Sequence, residues 1–170
     1  ALGTFCSRGD KVLLHCTIQN YNRYTGGVVG ECSPRYDENG NVVDGDAMLY
    51  ILGLRLKDRG MLKGNTVVAT VMSNSGFFAS LKKVGIDVDQ TKVGDRFVYE
   101  SMQKNDFSLG GEQSGHIIMK KYATTGDGIL TAIMIAEEMC DRKLPLSKLA
   151  EPVTLYPQYL VNLRVKSKEA

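Results

Sequence analysis

The residue types that can do chemistry are concentrated in one short stretch, residues 109–116. It reads Leu-Gly-Gly-Glu-Gln-Ser-Gly-His and places glycines around a carboxylate, an amide, a hydroxyl and an imidazole. Glycine lets a backbone turn sharply and approach a ligand closely, and each of these polar side chains donates or accepts hydrogen bonds. The stretch has neither a helical nor a strand period, so we predict a loop. On composition alone, this loop is either a polar surface turn or a ligand-binding element.

The length and composition fit one globular domain, with room for a piece of another. The chain has 170 residues, 43% of them hydrophobic, which is enough to build a core. Its 21 basic and 19 acidic residues are interspersed, so no basic stripe indicates nucleic acid. The four cysteines have neither the spacing of metal ligands nor the density of a disulfide scaffold, which favours reduced thiols in the cytoplasm. No apolar run approaches the roughly 18 residues of a membrane span, and we expect no membrane association and a cytoplasmic location.

Strands and helices alternate around the polar stretch. We predict helices that begin at Asp44 or Asp46 and end near Arg59, include 77–84, and cover 96–103, 129–141 and 145–149. We predict strands over 11–18, 66–72 and 86–93, short strands near 107–109 and 117–119, and an extended segment over 153–165. Asn39-Gly40 is typical of a hairpin turn. This alternation predicts a layered α/β domain with a mixed, mostly parallel sheet flanked by helices.

Several details of the helices follow from the same patterns. Gly60 and Gly85 lie where a glycine commonly ends a helix. In the helix over 96–103, we expect Phe97, Val98 and Met102 to face the core.

The polar stretch and several motifs around it resemble the third domain of the α-D-phosphohexomutase family, in particular of its bacterial phosphoglucosamine mutases. The matching motifs lie at 37–40, 43–46, 71–74, 93–96, 111–116, 123–128 and 147–150. We therefore divide the chain into three parts. Residues 1–36 are an unmatched segment, 37–152 are the domain-three-like part, and 153–170 are a strand and connector towards a fourth domain.

The resemblance implies an enzyme of four domains around a central cleft. In the family, a phosphoserine of the first domain exchanges phosphate with the sugar, and an aspartate-rich loop of the second domain holds Mg²⁺. The third domain recognises the sugar and the fourth binds its phosphate. The implied reaction converts glucosamine 6-phosphate to glucosamine 1-phosphate. The implied partners of this chain are a hexosamine phosphate and the remaining mutase domains.

The resemblance also assigns roles to residues of this chain. Glu112 and Ser114 would hydrogen-bond ring hydroxyls of the sugar, with His116 alongside and with Gly111 and Gly115 in the same loop. A charged acceptor such as a carboxylate makes stronger hydrogen bonds than a neutral one.

Two further candidates, Asp95 and Arg96, match positions near the cleft. The guanidinium of Arg96 would meet the substrate's phosphate or hydroxyls. The alternative for Arg96 is a surface salt bridge with a neighbouring acid, and the sequence does not choose between the two.

The catalytic parts of the family enzyme are missing from the resemblance. Its metal loop would fall near residues 27–32, which read Gly-Val-Val-Gly-Glu-Cys and lack the aspartates that Mg²⁺ prefers. Asp44-Gly45-Asp46 resembles a metal motif, but its context matches a junction between hairpin and helix. No serine lies in the phosphoserine motif. We therefore expect no metal or other cofactor in this chain, and no catalysis by it alone.

Two functional hypotheses follow. In the first, the chain is the sugar-phosphate-recognition domain of a phosphohexomutase and is inactive in isolation. In the second, it is a non-catalytic interaction module in which residues 1–36 add a new surface to the same scaffold. Residues 1–36 are a divergent remnant of the second domain, the product of an altered reading frame, or an unrelated segment. Apolar faces that would meet neighbouring domains favour self-association.

Overall fold

The structure is a computed structural model that describes residues 2–7, 10–15, 36–159 and 161. Strands β1 (Leu2–Ser7) and β2 (Asp10–His15) form an antiparallel hairpin, in which Leu2 pairs with His15 and Ser7 with Asp10. Strand β2 covers the first part of the strand predicted over 11–18. Residues 16–18 of that predicted strand lie outside the described ranges. So do residues 27–32, where the family's metal loop was expected, and most of the 1–36 segment that the second hypothesis treats as a new surface.

The main sheet has four strands in the order β4-β3-β5-β6. Strand β3 (Thr66–Thr70) pairs in parallel with both β4 (Asp87–Thr91) and β5 (Leu109–Gly111), and β5 pairs antiparallel with β6 (Ile117–Met119). The predicted mixed, mostly parallel sheet is confirmed. Every side chain of β3 is buried, as expected for a central parallel strand rich in β-branched residues.

The helices are α1 (Gly45–Asp58), α2 (Ser75–Lys83), α3 (Asp95–Lys104), α4 (Gly128–Arg142) and α5 (Leu146–Ala150), with a 3₁₀ turn over Lys63–Asn65. The described residues form a larger and a smaller core cluster, and helix α1 lies in the larger one. Met48, Leu49 and Leu52 of this helix are almost completely buried, as expected for a helix that is apolar on most of its surface. None of the helices in the described ranges has the length and apolarity to cross a bilayer.

The ends of α1 and α2 follow the sequence signals. Of the two candidate caps of α1, Asp44 is the one used, because its carboxylate accepts the N–H of Ala47 at 3.0 Å. Gly60 and Gly85 have φ of +66° and +67° just beyond the helices, a conformation that glycine adopts without steric cost. The predicted hairpin at Asn39-Gly40 is also present, with Tyr36 bridged to Val42.

One of the three predictions of burial in α3 was wrong. Val98 and Met102 are buried in a smaller core cluster as predicted, but Phe97 is 41% exposed. In α4, Ile129 and Ile133 are exposed, although they recur at helical spacing with residues that are buried. Helical spacing identifies a helix, but the position of the sheet decides which face is covered. In α4 that buried face contains Ala132, Ile135 and Ala136.

A cluster of charges joins α1 to α4 inside the fold. The side chain of Arg55 is only 2% exposed, and its Nη1 lies 2.7 Å from Oε2 of Glu138, whose side chain is 5% exposed. The guanidinium also pairs with the exposed carboxylates of Glu137 at 2.6 Å and Asp141 at 3.1 Å. The guanidinium of Arg55 is therefore buried, but two of its three carboxylate partners are exposed at the protein surface. Sequence analysis missed this cluster, because a single arginine in a helix is ordinarily a surface residue.

Asn74 ties the segment after α5 to the sheet. Its side chain caps α2 through the N–H of Gly76 at 2.8 Å, and it forms two hydrogen bonds with the backbone of Tyr156, at 2.8 and 2.9 Å. Gly76 is needed here, because a Cβ atom would lie 1.7 Å from the carbonyl oxygen of Thr154. Residues 153–159 contain no strand, and the rest of the predicted 153–165 segment, apart from residue 161, lies outside the described ranges.

Candidate functional site

The polar stretch is a tight turn that joins two strands. The N–H of Glu112 donates to the carbonyl of His116 at 3.0 Å, and Gly115 closes the turn with φ of +104° and an N–H bond of 3.0 Å to the carbonyl of Glu112. The predicted loop over 109–116 is therefore correct only from residue 112 onwards, since Leu109–Gly111 is strand β5. A strand of three residues is too short to show alternation. Position 111 requires glycine, because a Cβ atom there would lie 2.4 Å from the carbonyl oxygen of His116.

The turn packs against the N-terminal end of α1. The N–H of Gly45 donates to the carbonyl of Gln113 at 2.9 Å, and the amide of Gln113 donates to the carboxylate of Asp44 at 3.3 Å. A Cβ atom on Gly45 would lie 2.0 Å from the carbonyl oxygen of Glu112. The turn therefore rests directly on the backbone of a buried helix, which fixes the position of its side chains.

The polar side chains of the turn converge with the start of α3. Oε1 of Glu112 accepts the N–H of Gly94 at 2.7 Å, and Oγ of Ser114 lies 3.2 Å from Nδ1 of His116 and 3.5 Å from Oε2 of Glu112. Asp95 is the first residue of α3, and one polar atom from each of Asp95, Glu112 and His116 lies within 4.8 Å of the others. The structure thus brings together Asp95, Glu112, Ser114 and His116, all of them sequence candidates.

This cluster of Asp95, Glu112 and His116 is partly buried, and its electrostatics reflect that. Burial raises the pKa of Asp95 above its usual 3.8, the His116 imidazole opposes this shift, and the Glu112 carboxylate adds to it. All three side chains remain partly accessible. They also have the ligand types of a metal site, and they are the one such group of three among the described residues.

Arg96 does not join this cluster. Its side chain is 83% exposed, and its Nε lies 2.7 Å from Oε1 of Glu100, one turn along α3. The structure therefore shows the surface salt bridge, which was one of the two alternatives for this residue. An exposed pair with this spacing contributes little to stability, typically below about 1 kcal/mol.

Two glycines that hold the site were not among the sequence candidates. Gly94 supplies the N–H that anchors Glu112 and has φ of +126°, and Gly126 lies against His116, where a Cβ atom would be 3.3 Å from the Cβ of His116. Both occur in motifs that the sequence analysis noted, at 93–96 and 123–128. The sequence showed that these motifs contain glycine. It did not show which side chain each glycine supports.

The sequence and the fold are similar to those of known proteins. Residues 44–156 match the family model for phosphoglucomutase/phosphomannomutase, alpha/beta/alpha domain III. The chain belongs to this family. It is 55% identical over 132 residues to a phosphoglucosamine mutase from Lachnospira eligens and 56% identical over 133 residues to one from Geobacillus thermodenitrificans. These alignments cover 78% of this chain but only 29% and 30% of the relatives, so the chain spans less than a third of their length.

Solved structures show the same domain III fold. An N-acetylglucosamine-phosphate mutase in its substrate complex has a TM-score of 0.61 at 18% identity, covering 77% of this chain and 32% of that one. A putative phosphomannomutase from Thermus thermophilus has a TM-score of 0.61 at 24% identity, covering 67% and 26%. The resemblance inferred from the sequence motifs is therefore confirmed at the level of family and fold.

The carboxylates of Asp44 and Asp46, in the stretch that resembles a metal motif, are both engaged in hydrogen bonds within the fold. Asp44 caps α1 and accepts from Gln113, while Asp46 is fully buried and accepts the N–H of Asn74 at 2.7 Å. Mg²⁺ requires several oxygen ligands and retained water in an octahedral shell. These two carboxylates do not fit that requirement, because each is engaged elsewhere and Asp46 has no access to solvent. Residues 27–32, where the family's loop was expected, lie outside the described ranges.

The buried carboxyl of Asp46 predicts a pH effect on the stability of domain III. Burial raises its pKa from 3.8 to about 6, although the hydrogen bond from Asn74 lowers it. The folded state therefore holds the proton more tightly than the unfolded state, and the resulting stabilisation is complete below pH 3.8 and is lost as pH rises through about 6. Asp46→Asn removes this dependence. Between pH 4 and pH 7 the free energy of unfolding of the natural chain should therefore fall by about 2 kcal/mol relative to that of Asp46→Asn.

Urea denaturation of both proteins at each pH unit measures this difference. Glu100→Gln, which changes an exposed acid in the same way, serves as the control. Parallel pH profiles for the Asp46→Asn variant and the natural chain would contradict the prediction.

Proposed function

We propose that this domain recognises the sugar of a hexosamine phosphate within a phosphoglucosamine mutase. The whole enzyme would interconvert glucosamine 6-phosphate and glucosamine 1-phosphate in the cytoplasm, and this domain would form one wall of its active site. The observation that carries the proposal is the convergence of Glu112, Ser114 and His116 on one accessible turn. Relatives more than half identical in sequence bear the name of that mutase.

The position of the turn supports ligand binding. It follows the carboxyl end of β5, and the Gly94–Asp95 backbone follows the carboxyl end of the parallel strand β4. In open α/β sheets, ligands bind in the crevice beyond the carboxyl ends of the strands. The two segments meet there through the hydrogen bond from Gly94 to Glu112.

The hydrogen-bonding capacity of the turn also suits a sugar. One oxygen of Glu112 is fixed by the N–H of Gly94, while the other is 3.5 Å from Ser114 and remains an acceptor for hydroxyl groups. Ser114 is exposed and both donates and accepts. A carboxylate with one oxygen held in place is preorganised to accept two neighbouring hydroxyls without losing much side-chain entropy.

A titration with glucosamine 6-phosphate, followed by ¹⁵N–¹H NMR, tests this proposal. We expect shifts of the amides at 94–96 and 111–116, with a dissociation constant in the millimolar range, about −4 kcal/mol, because one wall of a site binds weakly. Glu112→Gln should weaken binding about tenfold, since a hydrogen bond to a charged group contributes about 1.5–3 kcal/mol.

Glu100→Gln is the matched control, because it alters a carboxylate of α3 that pairs with the exposed side chain of Arg96. The spectra themselves show whether each variant is folded. Shifts that avoid the turn, or equal affinity of Glu112→Gln and the natural chain, would overturn the proposal.

We also propose that the 170-residue chain has no mutase activity by itself. Its site residues hold hydroxyls, but phosphoryl transfer needs a phosphoryl donor and cationic stabilisation of the transferred charge. A coupled assay for glucosamine 1-phosphate, with Mg²⁺ and a hexose bisphosphate activator, measures this. Turnover by the purified chain above that of Glu112→Gln would contradict it.

A further inference from the structure

We infer that Asp95 is a specificity-determining residue that selects sugar phosphates with an ammonium group next to the hydroxyl held by Glu112. This inference rests on the proposed function, because it assigns a preference to the same site. It separates amino sugars from sugars that carry a hydroxyl at the same position. The chemical class that it names is a 2-amino-2-deoxyhexose phosphate.

The side chains of the site carry more negative than positive charge. Of the three groups whose polar atoms lie within 4.8 Å of one another, two are carboxylates, Asp95 and Glu112, and the third is the imidazole of His116. A site with two carboxylates and at most one positive charge attracts a cation and repels a phosphate. The phosphate of the substrate must therefore point away from this turn, and a positively charged part of the sugar must point towards it.

The guanidinium of Arg96 pairs with a carboxylate other than that of Asp95. Arg96 follows Asp95 directly, but its guanidinium pairs with Glu100 at 2.7 Å and is 83% exposed. It therefore does not neutralise the carboxylate of Asp95, which lies near the imidazole of His116 and can also accept hydrogen bonds from a ligand ammonium. A guanidinium folded back over Asp95 would have neutralised that carboxylate and removed any reason to prefer an amine.

Geometry gives the third step. The carboxylate of Glu112 is held by the N–H of Gly94, and Asp95 is the first residue of α3. Their carboxylate oxygens lie within 4.8 Å, so that substituents on adjacent ring carbons can reach one each. A hydroxyl can donate to Glu112 while the neighbouring ammonium donates to Asp95. An ammonium has three donors and a full charge, so it gains more from Asp95 than a hydroxyl does.

The partial burial of Asp95 gives the fourth step. A carboxylate that is partly removed from water interacts more strongly with a nearby cation than an exposed one does. Burial also makes an unpaired charge costly, and a ligand hydroxyl compensates that cost less well than an ammonium. The difference between the two ligands should therefore exceed that of an exposed ion pair.

The experiment compares glucosamine 6-phosphate with glucose 6-phosphate on the 170-residue chain, by NMR titration at neutral pH with EDTA present. EDTA excludes a contaminating metal ion as a bridge between ligand and carboxylates. We expect the natural chain to bind the amino sugar about tenfold more tightly. Asp95→Asn keeps the size of the side chain but removes its charge and replaces one acceptor oxygen by an NH₂ donor, and it should reduce the ratio of the two affinities to near one.

Two controls make the ratio specific. Glu100→Gln removes a carboxylate one turn away on the same helix and should leave the ratio unchanged. Raising the salt concentration should shrink the preference of the natural chain, because charge pairs near the surface are screened. A salt-independent preference would contradict the role of charge.

The possible failures are distinguishable. Equal binding of both sugars at the turn by the natural chain, or an unchanged ratio in Asp95→Asn, overturns this inference and leaves the proposed function standing. Absence of binding by every sugar phosphate overturns both.

Discussion

Replacing Arg55 with methionine should lower the free energy of unfolding by about 3 kcal/mol, the lower end of the range of about 3–5 kcal/mol for breaking a buried ion pair. The cost comes from Glu138, whose buried carboxylate would lose its 2.7 Å contact with the guanidinium. Two features place the effect at the lower end. Arg142 also pairs with Glu138, and Nε of Arg55 has no hydrogen-bond partner, so the natural network is not ideal.

Urea denaturation at pH 7 measures the effect of Arg55→Met. Arg96→Met is a matched control, because it removes the same side chain from an exposed ion pair and should cost less than about 1 kcal/mol. Adding Glu138→Gln to Arg55→Met should recover part of the loss, since the charge left without its partner is then removed. Equal stabilities of the two arginine variants would contradict the importance of burial.

Arg55 also shows where sequence reasoning ends. Periodicity predicted that α1 is a helix, because apolar residues recur at helical spacing along it. It could not predict that one arginine of this helix would enter the interior. That depends on Glu138, more than 80 residues away, and single-sequence patterns carry no information about such pairs.

The candidate site was predicted by residue type but not by partner. Glu112, Ser114 and His116 were identified because a run of glycines and polar groups is typical of functional loops. Their support by the N–H of Gly94 and by the buried start of α1 is a tertiary property. The exposure of Phe97 has a similar origin, because only the placement of the sheet decides which face of α3 is covered.

Motifs that were separate in the sequence prove to contact one another. Glu38, in the 37–40 motif, accepts hydrogen bonds from the N–H and hydroxyl of Ser147, in the 147–150 motif, and so caps α5. Asp46 accepts from the backbone of Asn74. The resemblance could show that these motifs occur together, and the contacts give the physical reason, which is that each supplies the donor or acceptor that the other lacks.

Substitution of Gly45 by alanine should disturb both stability and the candidate site. A Cβ atom there would lie 2.0 Å from the carbonyl oxygen of Glu112 and 2.8 Å from the N atom of Gly115. Both are backbone atoms, so no rotation of a side chain can relieve the clash, and the turn must move away from α1. We expect a loss of about 3 kcal/mol, the upper part of the range for overpacking, and at least tenfold weaker binding of glucosamine 6-phosphate.

Gly53→Ala is the matched control for Gly45→Ala, since both glycines lie in α1 and are buried. The three atoms nearest to a Cβ atom at Gly53 would all belong to side chains, the nearest being Cγ2 of Val67 at 3.1 Å. The small adjustment this requires is offset by the better helix propensity of alanine, about 1 kcal/mol, so stability should change by less than about 1 kcal/mol and sugar binding should be unaffected. If Gly45→Ala weakened binding while the amides at 111–116 kept their natural NMR positions, displacement of the turn would not be the cause. If both variants had the same stability, the close approach of α1 to the turn would not contribute to the fold.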